Sequence, residues 1–310
     1  MSYTDDSIGG DIMDMHLMHE RFVDESIQFR KMGEELVIID VQNEHASASI
    51  SLQGAQVLSW TPADQMPVIW LSDQADYQKG KSIRGGAPIC WPWFGAHEND
   101  NSQPAHGFVR TQVWNLTSVQ TLPDGQTELT FSCELTKGIS KQFDQCELTF
   151  YVRVGKRLEM YLETRNKGSH SIKLTEALHT YFRVSDIRQV SIKGLEDCRY
   201  LDKLENFSEK IQSGKITIDA EIDRVYLDTT KDCIIEDPGL QRKIVISKSG
   251  SESTVVWNPW SHKTLQMSDM EELGYLDMLC VETANAAENT VKVDAGEKHV
   301  MEIVYRVEDL

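Results

Sequence analysis

Two residues of this 310-residue chain combine acid–base chemistry with an apolar setting: His179 and Glu282. Read as a strand, Lys173–Val184 (KLTEALHTYFRV) puts Leu174, Leu178, Phe182 and Val184 on one face, with Thr175, Ala177, His179 and Tyr181 on the other. His179 thus points away from the main apolar row. It can serve there as a hydrogen-bonded structural histidine or as a group that trades protons near neutral pH. Glu282 follows the run Tyr275–Val281 on the parity of Met278 and Cys280. A carboxylate carried into an apolar strand is costly unless paired or used. Burial would raise its pKa and make it a better base than a surface Glu; a buried Glu held by backbone or Arg is the open alternative. Asp223, in Ile222-Asp223-Arg224-Val225-Tyr226, could accept hydrogen bonds from ligand hydroxyls, or form a turn or a surface salt bridge.

The densest cluster of functional residue types is Ile83–Arg110, IRGGAPICWPWFGAHENDNSQPAHGFVR. Arg84 and Arg110 flank glycines and the aromatic residues Trp91, Trp93 and Phe94, and the stretch closes on His106-Gly107-Phe108. Glycines let backbone approach a ligand, aromatic faces stack on sugar rings, and guanidinium forks grip anionic oxygens bidentately. Any one of these residues is explained as well by a buried Trp/Pro corner with two surface arginines. The whole set points to a site for a polar, anionic, ring-shaped small molecule.

The elements that must position these residues are strands. Leu129, Phe131, Cys133 and Leu135 alternate with polar neighbours, as do Leu148–Val154, Leu158–Leu162 and Met301–Val307. Turn residues such as Pro123-Asp124-Gly125 and Asn166-Lys167-Gly168 separate them. Many short strands of this kind predict an all-β antiparallel sandwich or barrel. Helix is predicted only over Ser72–Gln78 and in an amphipathic stretch around Ile12–Lys31. His16 and His19 have metal-ligand spacing on such a helix, but no further ligands follow at suitable spacing. We expect an N-terminal extension over 1–32 and a single domain over 33–310.

The net charge of −18 opposes nucleic acid and anionic membranes as partners, and it favours a monomer. An anionic ligand would then need a locally positive site, which Arg84 and Arg110 must supply. No apolar run approaches the ~18 residues of a membrane span. The acidic start (Asp5, Asp6, Asp11, Asp14) is unlike a signal peptide, so a cytoplasmic location is expected. Six scattered cysteines without a C-x-x-C pair fit buried thiols in a reducing compartment. Walker, G-x-G-x-x-G and G-x-S-x-G motifs are absent, as is any His/Cys/Asp cluster at convincing metal spacing.

Taken in order, R-G-G-A-P-I-C-W-P-W-F-G, H-G-F-V-R, the Glu-Ala-Leu-His179-Thr-Tyr-Phe strand, Asp223-Arg-Val-Tyr, W-N-P-W and C-V-Glu282-T-A make the chain resemble the D-hexose-6-phosphate mutarotases. These are the glucose-6-phosphate 1-epimerase branch of the aldose 1-epimerase family, and the resemblance runs from about Gly33 to the C-terminus. It implies a galactose-mutarotase-like super-sandwich of antiparallel strands and no cofactor. It also implies that His179 and Glu282 are catalytic, and that Arg84, His106, Arg110 and Asp223 bind a phosphosugar. The residue before the H-G-F histidine is Gln in some members of the family and Ala105 here, so one substrate hydrogen bond is missing or supplied from elsewhere.

The activity so implied is interconversion of the α and β anomers of glucose 6-phosphate, with related hexose 6-phosphates open, by acid–base opening and closing of the ring. The alternatives are an aldose 1-epimerase for neutral sugars, which has no use for two arginines, and a non-catalytic carbohydrate-binding sandwich, which has no use for an acid–base pair. A glycoside hydrolase would call for two facing carboxylates, whereas the partner of Glu282 is a histidine.

Overall fold

The computed structural model describes residues 15–33, 35–135 and 141–310. The period-two alternation produces strands that pair antiparallel throughout. One eight-stranded sheet runs in the order Ser191–Lys193, Cys233–Asp237, Arg242–Ser249, Lys298–Asp309, Arg157–Asn166, Cys146–Val154, Thr127–Cys133, Asn115–Thr121. A second runs Ser208–Ile211, Arg199–Asp202, Ile222–Tyr226, Ser253–Asn258, Met278–Asn285, Glu176–Leu178, Ile89–Cys90, with Tyr181–Arg183 also paired to Met278–Asn285.

Their facing sides share one core. Phe131, Phe150, Met160, Ile303 and Tyr305 from the first sheet meet Ile89, Leu178, Val256, Leu279 and Val281 from the second. Such burial gives roughly 25 cal/mol per Å² of apolar surface and fixes strand register, because a one-residue slip would turn every core side chain outward. The sequence Leu174, Leu178, Phe182, Val184 does lie in this core. The other face of the second sheet, bearing Asp223, Trp257, Cys280 and Glu282, is therefore left to form a site.

A four-stranded sheet (Ile27–Met32, Leu36–Gln42, Ala46–Ser51, Gln56–Pro62) lies before these two in the chain. Here the sequence expectations need correction. The boundary at residue 33 falls inside a hairpin, since Ile27–Met32 pairs along its length with Leu36–Gln42 and buries Ile27 and Phe29. Among the described residues of the stretch expected to be helical, helix is confined to Met15–Arg21; residues 1–14 and the side chain of His16 lie outside the description. Ser72–Gln78 is not a helix. The Ser72 hydroxyl accepts from the Gln74 amide and donates to the Asp269 carbonyl, so it closes a local turn and tethers a distant loop instead. No helix among the described residues is long and apolar enough to cross a membrane. All six thiols are free, and five of them are buried.

Candidate active site

Register assembles the site. Asp223 pairs with Trp257, Trp257 with Cys280, and Cys280 with Tyr181 across four neighbouring strands. Side chains in such a row project from one face. Two residues further along its strand, Glu282 projects from the same face. His179 sits where the strand breaks between Glu176–Leu178 and Tyr181–Arg183, because the Thr180 amide turns back onto the Leu178 carbonyl. The Thr180 hydroxyl is anchored to the Tyr305 hydroxyl at 2.7 Å. The amides of His179 and Tyr181 donate to the carbonyls of Pro88 and Gly86, at 2.9 Å each. This ties the His179 strand to the Arg84 segment.

His179 Nε2 lies 3.4 Å from Glu282 Oε1. His179 Nδ1 and Glu282 Oε2 are buried without a hydrogen-bond partner among the described residues. Buried polar atoms are nearly always paired, so these two are available to a ligand. The imidazole stacks on Tyr181 at 5.0 Å and meets the edges of Trp257 and His106. Burial holds His179 well below the usual histidine range, with His106 and Arg110 adding to the effect. Burial pushes Glu282 well above the usual carboxylate range; Lys203 opposes the shift and Asp223 reinforces it. Both members are therefore favoured uncharged, and the pair can accept a proton at one point and return it at another.

His106 follows Ala105 with φ +65°. Its amide donates to the Gly95 carbonyl at 2.7 Å, while its Nδ1 faces the Gly95 amide at 3.4 Å. Burial, then Arg110, Lys203 and Arg84, depress it to about 3, so it is a neutral imidazole with Nδ1 as acceptor and Nε2–H as donor. Gly107 (φ +71°) passes so close to the Trp91 carbonyl that an added Cβ would lie 1.8 Å from that oxygen; only glycine fits there.

Arg84, His106, Arg110, His179 and Tyr181 line one cavity of about 510 Å³, with Lys81 and Asp269 on its wall. That is ample for a small ligand. Arg84 donates from Nη1 to the Tyr181 hydroxyl at 3.0 Å and from Nε to Asp269 at 3.1 Å. Arg110 donates to the Ala105 carbonyl at 2.9 Å and forms no ion pair among the described residues. Position 105 thus contributes through its backbone, which requires no particular side chain. Asp223, buried on the same face, is paired with Lys203 Nζ at 2.8 Å, and burial raises its pKa against the pull of Lys203.

Of the six residues singled out from the sequence, Arg84, His106, Arg110 and His179 line this cavity, Glu282 adjoins it through His179, and Asp223 lies on the same sheet face beside Lys203. Sequence reading missed Lys203, Tyr181 as a partner of Arg84, and Asp269. Lys203 begins a short 3₁₀ turn capped by the Asp202 carboxyl, and its ammonium stands over the Phe94 ring at 5.8 Å. Nothing local to these three residues announces them, since each acts through a partner distant in sequence. His179, Cys280 and Glu282 also form the one His/Cys/Asp/Glu group among the described residues with donor atoms within 4.8 Å of one another, as a metal ion would need. Burial pushes the Cys280 thiol well up, which disfavours the thiolate such a set would use.

The sequence pattern of the aldose 1-epimerases matches residues 37–306, nearly the whole described β structure. The chain belongs to the aldose 1-epimerase family. It is accordingly an epimerase, an isomerase acting on a small-molecule sugar. It is 40% identical over 263 residues to an Escherichia coli K12 protein named "Putative glucose-6-phosphate 1-epimerase", covering 84% of this chain and 86% of that one. A Cenchrus ciliaris protein of the same name is 34% identical over 277 residues, covering 86% and 82%. A crystal structure titled as a putative mutarotase from Salmonella typhimurium superposes with a TM-score of 0.86 at 32% identity, covering 93% of this chain and 95% of that one. A galactose mutarotase-like protein from Lactobacillus casei, at 14% identity and TM-score 0.65 over 87% of this chain and all of that one, shares the fold. The all-β, galactose-mutarotase-like super-sandwich of this epimerase is thereby shown.

Proposed function

We propose that this epimerase interconverts the α and β anomers of a hexose 6-phosphate, glucose 6-phosphate first among them. The carrying observation is that Arg84 and Arg110 line the same cavity as His179, in a chain whose net charge of −18 would otherwise repel an anion. Relatives named for glucose 6-phosphate support the same substrate.

In this reading Glu282 removes the proton from the anomeric hydroxyl and His179 delivers one to the ring oxygen. The C1–O5 bond breaks, the open aldehyde rotates about C1–C2, and closure reverses both proton transfers on the other face. The neutral His106 donates from Nε2–H to the ring or aldehyde oxygen, and Asp223 accepts from a sugar hydroxyl. A phosphate dianion on the arginines cancels charges that hold His179 unprotonated, so substrate entry favours passage of the Glu282 proton to His179 Nε2, 3.4 Å away, which gives the carboxylate and the imidazolium that the first step needs. Each positioned proton transfer contributes ~10²–10⁴ in rate, enough for a reaction that sugars already undergo slowly in water. We read the chain as acting in the cytoplasm as a monomer.

A neutral-sugar epimerase is the second reading, favoured by one observation: the Arg84 guanidinium is already paired with Asp269. Anomerisation of glucose and of glucose 6-phosphate, followed side by side by exchange NMR, separates the two. A much higher kcat/KM for the phosphosugar is expected, and equal values would reject the phosphosugar reading.

A further inference from the structure

Asp269 is a carboxylate on the wall of a cavity assigned to an anion, and it occupies one of the two arginines meant to hold that anion. Both Nε and Nη2 of Arg84 reach its Oδ2, at 3.1 Å each. The bonds converge on a single oxygen. A guanidinium makes its strongest pairing when two parallel N–H groups meet two separate oxygens, and a phosphate has three to offer. The pair is partly open to water, with 26% of each side chain exposed, so it is an exchangeable contact.

The segment that carries Asp269 is held from behind. Its carbonyl accepts from the Ser72 hydroxyl at 2.8 Å, and Glu271 accepts from the same hydroxyl at 3.1 Å and from the Asp73 amide. The carboxylate is therefore presented to Arg84 by the loop on which it sits. Arg110 has no such competitor among the described residues.

We infer that Asp269 is a built-in counter-anion, which the 6-phosphate must displace from Arg84, and that it thereby lowers the site's apparent affinity for phosphate. This rests on the phosphosugar reading. A neutral sugar has nothing with which to displace Asp269 and binds against a closed Arg84 pair. A singly charged carboxylate ligand can only exchange like for like. A dianion gains charge and a second oxygen, and wins the exchange. While Asp269 holds Arg84, the binding-competent fraction is reduced, and apparent affinity falls by that fraction.

The test is Asp269→Asn in the full chain, with Asp269→Ala as the second variant should the amide not fold. Inorganic phosphate is the probe, as a ligand by calorimetry and as a competitive inhibitor of anomerisation. Phosphate is expected to bind the variant on the order of tenfold more tightly, as expected when a charged pair competing for Arg84 is removed. KM for glucose 6-phosphate should fall while KM for glucose stays. If Asp269 instead positions Arg84 for substrate, phosphate binding weakens and KM for the phosphosugar rises, and the inference is overturned; unchanged binding overturns it equally. The wild-type comparison of glucose with glucose 6-phosphate is run alongside. No preference there rejects the phosphosugar reading, whereas a clear preference with no tightening in the variant rejects Asp269's role alone.

Discussion

Glu282→Gln should make the protein inactive and, above acidic pH, more stable. The Glu282 carboxyl is 1% exposed, its Oε2 has no partner among the described residues, and burial drives its pKa well up. In the unfolded chain it ionises near its ordinary value of 4.5. A raised folded-state pKa means that the stability tied to this proton is complete below 4.5 and is lost as pH rises toward the folded value. The loss runs at about 1.4 kcal/mol per pH unit. Over the roughly 2.5 units to pH 7 its ceiling is about 3 kcal/mol, reached if the native carboxyl stays protonated throughout. Gln fills the same volume and has no proton to lose. At roughly 2 °C per kcal/mol for a chain of this size, the Tm of Glu282→Gln relative to wild type should climb by up to about 6 °C between pH 4.5 and 7. Scanning calorimetry of both proteins at four pH values measures it, and His179 is present in both. A Tm difference that stays constant across this range would refute the burial argument.

Three further outcomes follow from the geometry. Lys203→Met removes the charge that opposes the rise of Glu282's pKa, so the ascending limb of kcat/KM against pH should move to higher pH; a shift the other way contradicts that role. Arg110→Ala should raise KM for glucose 6-phosphate tenfold or more, since hydrogen bonds to charged groups contribute about 1.5–3 kcal/mol, while KM for glucose stays unchanged; steady-state kinetics on both sugars decides. Gly107→Ala places a methyl 1.8 Å from the Trp91 carbonyl at positive φ, so it should lower Tm and weaken substrate binding through His106; wild-type Tm and KM would show that the backbone yields there without cost.

The fold was legible where one face of a strand is buried. Leu129, Phe131 and Cys133 alternate in the sequence because they pack on the opposing sheet. The parity of Glu282 with Met278 and Cys280 held for the same reason: these residues share the face turned away from that core. The strand around His179 was legible as a pattern and not as a shape, because the turn of the Thr180 amide onto Leu178 that breaks it is anchored by the Tyr305 hydroxyl, 125 residues away. Ser72–Gln78 has helix-compatible residues, yet Ser72 is engaged by residues near 270, a contact no local pattern contains. Lys203 and Asp269 were invisible for that reason too: a Lys after an Asp, or an Asp after a Ser, gains meaning only from its ion-pair partner on another element, Asp223 or Arg84. The Ile83–Arg110 motif stood out because glycine, aromatic and arginine requirements coincide within one short segment.

The central claim is that His179 and Glu282 transfer the protons. Exchange NMR at equilibrium, with glucose 6-phosphate and wild type, His179→Ala or Glu282→Gln at equal concentration, measures it directly. Each substitution should cut the enzyme-dependent α–β exchange by ~10²–10⁴, down toward the buffer rate, with the fold intact by calorimetry. Exchange at the wild-type rate in either variant would contradict the account.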